Sequence, residues 1–218
     1  MKSNITLPEQ HSVEKDLALL YGVMLGDGCL SKSGRAHFIV VSGHMNDDIN
    51  FFKKILPIFT KIRKKECKIS YKKNENTIEI NFSDKKLFDI FREIGMPIGK
   101  KGISLKISER FDKKLYNRLI KGYFATDGCL VITNNNGILY PRIEFSSISK
   151  KILTQTKSYL ESIGMKGGLY ISHQPNGKWN TLYRTQFNGK NNLEIFRSKI
   201  RFINPKHEEK YKNWKKSG

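Results

Sequence analysis

Two segments of this sequence set an aspartate in the same surroundings: LYGVMLGDGCL from Leu20 to Leu30, and IKGYFATDGCL from Ile120 to Leu130. Their shared Asp-Gly-Cys-Leu places Asp27 and Asp127 at a constant offset, 127 − 27 = 100 positions. A single Asp-Gly is as readily a turn that ends a helix as it is a site. Two in register point to paired carboxylates, which can hold divalent cations against phosphate oxygens and so support phosphodiester hydrolysis.

The remaining residues of each segment say how the two would meet. Gly22 and Gly26 lie four apart on one helical face, and Gly122 and Thr126 occupy the same places in the second copy. Small residues at that spacing let two helix backbones approach closely. Packed side by side, the helices would bring Asp27 and Asp127 together at the base of their interface. Gly28 and Gly128 are expected to end each helix in the left-handed cap conformation. The arrangement is repulsive by itself, because two carboxylates meet at helix C-termini that each carry roughly −0.5 of dipole charge. Bound cations, or a proton retained on one carboxyl, would relieve it.

The elements that must position these helices also repeat. After each motif come a strand, a polar turn (Ser33-Gly34; Asn134 to Gly137) and a second strand (Phe38 to Val41; Arg142 to Ser146). A helix follows, beginning near Asn46-Asp47-Asp48 in the first half and capped by Ser149 in the second. Two more strands flank Asn74-Glu75-Asn76 and Pro175-Asn176-Gly177, and a last helix runs through Leu87, Ile90 and Phe91 or through Leu193, Ile195 and Phe196. Chance similarity of two amphipathic helices does not explain both the shared motif and the shared order downstream. The expected organisation is a first half over 1–95, a Pro/Gly-containing linker over 96–111 and a second half over 112–218.

Charge narrows the partner. The 218 residues hold 40 Lys+Arg against 20 Asp+Glu, a net charge of +20, which favours a polyanion, most commonly nucleic acid. With 38% hydrophobic and 11% aromatic residues the chain can bury a core, so disorder throughout is not expected. No apolar run nears the ~20 residues of a membrane span, and Met1-Lys2-Ser3-Asn4 does not open a signal peptide. Cys29, Cys67 and Cys129 are odd in number and widely spaced, no CxxC or HExxH occurs, and neither a disulfide framework nor a zinc site is expected. The sequons at Asn4 and Asn81 therefore carry no weight. An intracellular setting is expected, and abundant Lys, Asn, Ile and Phe fit AT-rich coding in an archaeon, a bacterium or an organelle.

LYGVMLGDG and IKGYFATDG resemble the two signature helices of the LAGLIDADG homing endonucleases in their single-chain, two-motif form. Each motif is degenerate alone, but the pair at this spacing is specific, and the similarity of element order covers nearly the whole chain. The resemblance implies an α+β fold of two pseudo-twofold-related αββαββα halves. Each would carry a curved four-stranded antiparallel sheet, the sheets forming a DNA-binding saddle with the motif helices at its centre. It implies a monomer that cuts both strands of double-stranded DNA across the minor groove and leaves short 3′ overhangs. Asp27 and Asp127 would bind Mg²⁺, with Mn²⁺ as a substitute and Ca²⁺ supporting binding without cleavage. The carbonyls of Gly26 and Thr126 match positions that can also reach the metal. A basic residue near each scissile phosphate is implied, and by position these are Lys101 and Lys206. Leu25 and Ala125 stand where the family name has its first Asp, a variable position. Thr126 is larger than the usual Ala or Gly and is expected to loosen the seam slightly.

Strand alternation then assigns faces. Ile78, Ile80 and Phe82 oppose Thr77, Glu79, Asn81 and Ser83, and Ile69 and Tyr71 oppose Lys68, Ser70 and Lys72. Ile143 and Phe145 oppose Arg142, Glu144 and Ser146, while Tyr183, Thr185 and Phe187 oppose Arg184 and Gln186. The polar sets are of types that bond base edges and phosphates. Arg35 and His37, beside the first hairpin turn, complete the expected DNA-contact set. Strands near ten residues long would each track about ten base pairs, giving a target of roughly twenty. The tail from Lys206 to Lys216 would add contacts to phosphates irrespective of sequence.

Two other readings use the same surface. An RNA maturase that helps an intron fold would need the basic charge but not the aspartates, and a DNA-binding protein without cleavage would need no metal. No splicing nucleophile begins the chain and no His-Asn junction ends it, so an intein context is not expected. The Gly95 to Lys100 stretch is one residue short of a phosphate-binding loop and has no Ser/Thr after its lysine.

Overall fold

In a computed structural model, residues 8–172 and 180–217 are described. The first half runs α1 (Pro8–Gly26), β1 (Gly28–Ser33), β2 (Ala36–His44), α2 (Met45–Arg63), β3 (Ile69–Lys72), β4 (Thr77–Ser83) and α3 (Lys85–Glu93). The second runs α4 (Tyr116–Asp127), β5 (Gly128–Asn135), β6 (Ile138–Ser147), α5 (Lys150–Ser162), β7 (Gly168–Ser172), β8 (Leu182–Asn188) and α6 (Lys190–Lys199), and a further helix α7 (Pro205–Lys216) follows. Two antiparallel four-stranded sheets result, ordered β1-β2-β4-β3 and β5-β6-β8-β7. The fold is α+β, built from two copies of one plan.

Period-two patterning fixes the register of both sheets. Leu30, Ile39 and Phe82 pair across the first sheet, and Leu130, Ile143 and Phe187 pair across the second. All six are buried, facing the helices. A slip of one residue would turn each set to water, so the apolar alternation specifies the pairing. The β5–β6 hairpin closes on Asn136 and Gly137, at φ 50° and 86°, as the right-handed twist of the strands requires of a two-residue turn. The turn expected at Pro175-Asn176-Gly177 lies outside the described residues.

Several expectations change here. Among the described residues, strands of nine or ten residues occur only at β2 and β6, with 9 and 10; β3 has 4, because Lys73–Glu75 turns into a 3-10 helix. Helix α2 begins at Met45 rather than at Asn46-Asp47-Asp48, since the His44 side chain accepts the Asp47 N–H at 3.3 Å and acts as the cap. Ser149 does cap α5, and its hydroxyl also donates to Leu105 O at 2.6 Å. The charged tail is helix α7, started by Asn204 and Pro205, and it docks through buried His207 and Tyr211. His207 lies against the Phe124 ring at 4.7 Å, because an amphipathic face inside the charge run was there to be buried. Between the halves, Met96, Leu105 and Ile107 join the core, and Gln155 bonds both the N–H and the carbonyl of Ile107. Among the described residues no helix is long and apolar enough to cross a membrane.

Candidate active site

Helices α1 and α4 cross backbone to backbone at Gly22 and Gly122. A Cβ at Gly22 would stand 2.0 Å from Leu119 O, and one at Gly122 would stand 2.1 Å from Leu19 O. Backbone therefore packs on backbone, as the small-residue spacing anticipates. One turn further on the symmetry breaks. A Cβ at Gly26 would fall 2.0 Å from Thr126 Oγ1, so Thr126 occupies the room that glycine leaves. Its hydroxyl donates to Tyr123 O at 3.0 Å. The seam is filled rather than loosened.

The next glycines act differently from expectation. Neither Gly28 nor Gly128 has positive φ, and Gly128 is extended, at φ −88° and ψ 156°. Each instead runs back tightly past its own helix: a Cβ would meet Met24 Cα at 2.4 Å or the Phe124 ring at 2.2 Å. Close approach, not a left-handed turn, requires glycine here. Because β1 and β5 start on these residues, the motif aspartates sit where helix seam and sheets converge.

Asp27 and Asp127 face each other across this seam. Asp127 Oδ1 lies 3.1 Å from where a Gly26 Cβ would stand, so its carboxyl reaches to the opposing helix. Both side chains are open to solvent on one side and packed by protein on the others. That partial loss of hydration, followed by the charge of Asp27, pushes Asp127 up to about 7, against the pull of Lys101. Partial burial pushes Asp27 up to about 6, with Lys101 and Lys206 lowering it and Asp48 raising it. The two carboxyls titrate as a pair, reluctant to carry both charges without a cation.

Lys101 stands beside this pair. Its Nζ donates to Leu25 O at 3.2 Å and Met24 O at 3.4 Å, capping the C-terminal end of α1. Burial lowers its pKa, while Asp127 and Asp27 pull it back up. Lys206, its positional counterpart, is held differently. Lys206 Nζ donates to Asp48 Oδ1 at 2.9 Å, and Asn204 Nδ2 bonds both Asp48 Oδ1 at 3.2 Å and Ala125 O at 3.0 Å. Burial alone would raise Asp48, but the bonds from Lys206 and the His44 N–H hold it below the usual carboxylate range. Asp48 and Asn204 are the residues that sequence reasoning missed.

The polar sheet faces hold most of the expected DNA contacts, already bonded to one another. In the first sheet Glu79 accepts from Lys72 at 2.8 Å and from Ser42 at 3.3 Å, and Ser70 donates to Glu79 O. Asn81 is exposed on the same face, and Lys68 precedes β3. In the second sheet Glu144 pairs with Arg142, accepts from Gln186 at 2.9 Å and lies 3.9 Å from Arg184, which reaches Ser146. His37 is not brought to this face. It pairs with Lys32 on the helix side and meets the Phe88 ring at 5.0 Å, because its parity is that of Ile39. Arg35 sits in the hairpin turn, exposed, and Tyr71, expected to be inward, is 53% exposed near the end of the short β3.

Among the described residues no group of three His, Cys, Asp or Glu forms a metal cage. Two carboxylates with nearby main-chain carbonyls form a hard, oxygen-only donor set. This suits a cation that keeps much of its own water, as Mg²⁺ does.

Comparison with known proteins places this geometry. Residues 114–201 match the family model described as a LAGLIDADG-like domain. The second half of the chain is thus similar to a LAGLIDADG-like domain. Its fold extends over both halves: a structure of variants of the homing endonuclease I-DmoI has a TM-score of 0.62 at 16% identity, covering 86% of this chain and 96% of that one. The homing endonuclease I-LtrWI bound to target DNA gives 0.59 at 14% identity, covering 93% and 89%. A curated relative, the probable translation initiation factor IF-2 of Methanocaldococcus jannaschii, is 27% identical over 201 residues, spanning 89% of this chain and 16% of the relative. The chain thus spans about one-sixth of that relative's length. In this chain the motif pair, the seam and the two sheets share one plan, and Thr126, Asp48 and Asn204 depart from the symmetry.

Proposed function

We propose that this LAGLIDADG-like chain is a site-specific double-strand DNA endonuclease that acts with divalent metal. The observation that carries the reading is the meeting of Asp27 and Asp127 at the ends of two helices locked backbone to backbone, at the junction of two polar sheet faces. Related folds add support: I-DmoI is described in complex with DNA and Ca and with DNA and Mn.

Asp27 and Asp127 would hold the metal, with the Gly26 and Thr126 carbonyls as further oxygen donors. Mg²⁺ is the proposed physiological ion, and when bound it supplies Lewis-acid charge to phosphate oxygens and to the attacking water. Lys101 keeps a positive charge beside the reacting phosphate and lends it to the charge that develops there. Lys206 is proposed for the same role on the other strand, positioned by Asp48. The seam fixes the spacing of the two sites, which we read as setting short 3′ overhangs.

Lys68, Ser70, Lys72, Glu79 and Asn81 on one sheet, and Arg142, Glu144, Ser146, Arg184 and Gln186 on the other, are proposed to contact DNA, with Arg35 at a hairpin tip. Strands β2 and β6, with 9 and 10 residues at ~3.4 Å each, match about ten base pairs apiece, hence a target of roughly twenty. A monomer working inside the cell, in intron homing, is the setting this implies.

The test is selection of cleavable sequences from a randomised duplex library with Mg²⁺, repeated with a chelator. Cleavage should vanish on chelation while binding largely persists, because affinity rests on basic faces beside the carboxylates. Cutting that continues without divalent ions would overturn the reading.

A further inference from the structure

A strongly basic concavity lies away from the aspartates. A cleft of about 370 Å³ opens between the N-terminal part of α4, the end of α6 and α1, and Lys15, Lys114, Arg118, Lys121, Lys199 and Arg201 line it. Asn117 and Ser198 add neutral hydrogen-bonding groups, and no carboxylate belongs to the lining. Its size falls within the range of small-ligand sites, ~300–1,000 Å³. No strand contributes to it. Along the helix axes, at ~1.5 Å per residue, Lys121 stands about 9 Å and Arg118 about 14 Å from the Asp127 end, and Lys15 about 18 Å from the Asp27 end.

We propose that this cleft is a second nucleic-acid site, taking the phosphodiester backbone of a strand on the side of the molecule away from the two sheets.

Three observations carry this. Six cations line one concavity, far more than a single phosphate needs, whereas a strand brings one negative charge with every nucleotide. Lys121 is half-buried there, and the charges acting on it most strongly are those of Arg118, Arg201, Lys54 and Arg197. Burial and this like-charge crowding hold its ammonium below the ordinary lysine pKa, a tension that an anion would relieve. Arg201 ends α6 at φ 66°, its N–H bonded to Phe196 O at 3.0 Å, and its guanidinium joins the lining. A merely solvated basic surface would spread these charges apart rather than gather them around a partly buried lysine. RNA and single-stranded DNA share the recognised chemistry.

The test is a lysine-acylation footprint of the full chain, read by mass spectrometry. Short single-stranded RNA and DNA of one sequence serve as probes, with inorganic pyrophosphate at equal phosphate concentration as a control. Acylation of Lys15, Lys121 and Lys199 should fall by at least about fivefold with one or both oligonucleotides, and the arm that protects more names the source. An Arg118→Gln/Arg201→Gln variant keeps every reporter lysine and should lose that protection while Lys72 on the sheet face behaves as in the parent. A Lys114→Gln variant, altered only at an exposed side chain, should weaken protection in the same direction. Unchanged cleft acylation with both oligonucleotides, equal protection by pyrophosphate, or full protection persisting in the double variant would each overturn the assignment. Protection of Lys72 reads the sheet faces separately, so the endonuclease reading can fail without this one, and the reverse.

Discussion

Lys206 Nζ lies 2.9 Å from Asp48 Oδ1, tying the first turn of α7 to the first turn of α2 across 158 positions of sequence. With Asn204 bonded to the same carboxylate and to Ala125 O, the contact joins the halves a second time, beside the α1–α4 seam. It also fixes a cation whose charge reaches Asp27.

Removing that carboxylate should be felt throughout the chain. Asp48→Ala strips Lys206 and Asn204 of an acceptor and should lower stability by about 1–3 kcal/mol in urea melts. A double-mutant cycle with Lys206→Met should return a coupling of about 1 kcal/mol or more. The same cycle on the exposed Lys85–Asp89 pair should return a clearly smaller coupling. Equal couplings would mean that the Asp48 contact is only another surface ion pair.

The seam makes a sharper prediction. Gly22→Ala and Gly122→Ala each drive a methyl into a main-chain carbonyl that cannot rotate away. Each should cost about 3 kcal/mol or more, at the upper end of overpacking effects, with melting lowered by roughly 6–12 °C. Gly102, with nothing within 4 Å of an added Cβ, should accept Ala within ~0.5 kcal/mol. Similar melting for all three variants would show that the helices can separate freely.

The aspartate pair predicts a pH signature with a definite sign. Folding raises Asp27 to about 6 and Asp127 to about 7, from an unfolded value near ~3.9. Between about pH 4 and pH 7 the folded chain therefore holds more protons than the unfolded one. The pair's contribution to stability is fully present below pH 4 and is lost as pH rises through 6 and 7. Without metal, the melting temperature of the parent minus that of Asp127→Asn should fall from pH 4.5 to pH 7.5. Mg²⁺ at pH 7.5 should raise the parent and leave the variant nearly unmoved. Cleavage by either Asp27→Asn or Asp127→Asn should drop by at least ~10²-fold. A difference that rises with pH would mean that folding stabilises the charged carboxylates, which would overturn the raised pair.

The motif pair and the order of elements were legible because both are local patterns that occur twice. Asp27 and Asp127 could be singled out since their type and surroundings repeat at one offset, Lys101 only because the family resemblance implies a basic residue at its position, and the fold brings the three together. Asp48 carried no such signal: an acid in the first turn of a helix is ordinary, and its side-chain partners Asn204 and Lys206 lie more than 150 positions away. Asn204 read only as a residue before Pro205, though Asn-Pro is also a helix-start signal that could have announced α7. His37 was a lapse of parity, because counting back by twos from Ile39 puts it on the helix side. Gly28 and Gly128 were misread because sequence shows that a glycine is wanted but not whether dihedral freedom or lack of volume is the reason.

Thr126 against Gly26 has a consequence for ancestry and assembly. A symmetric pairing of two second halves would force threonine against threonine, where even a Cβ at Gly26 would already fall 2.0 Å from Thr126 Oγ1. The second half is thereby shaped to the first rather than to itself, and a stray copy of it meets a clash at the surface where it would otherwise dimerise.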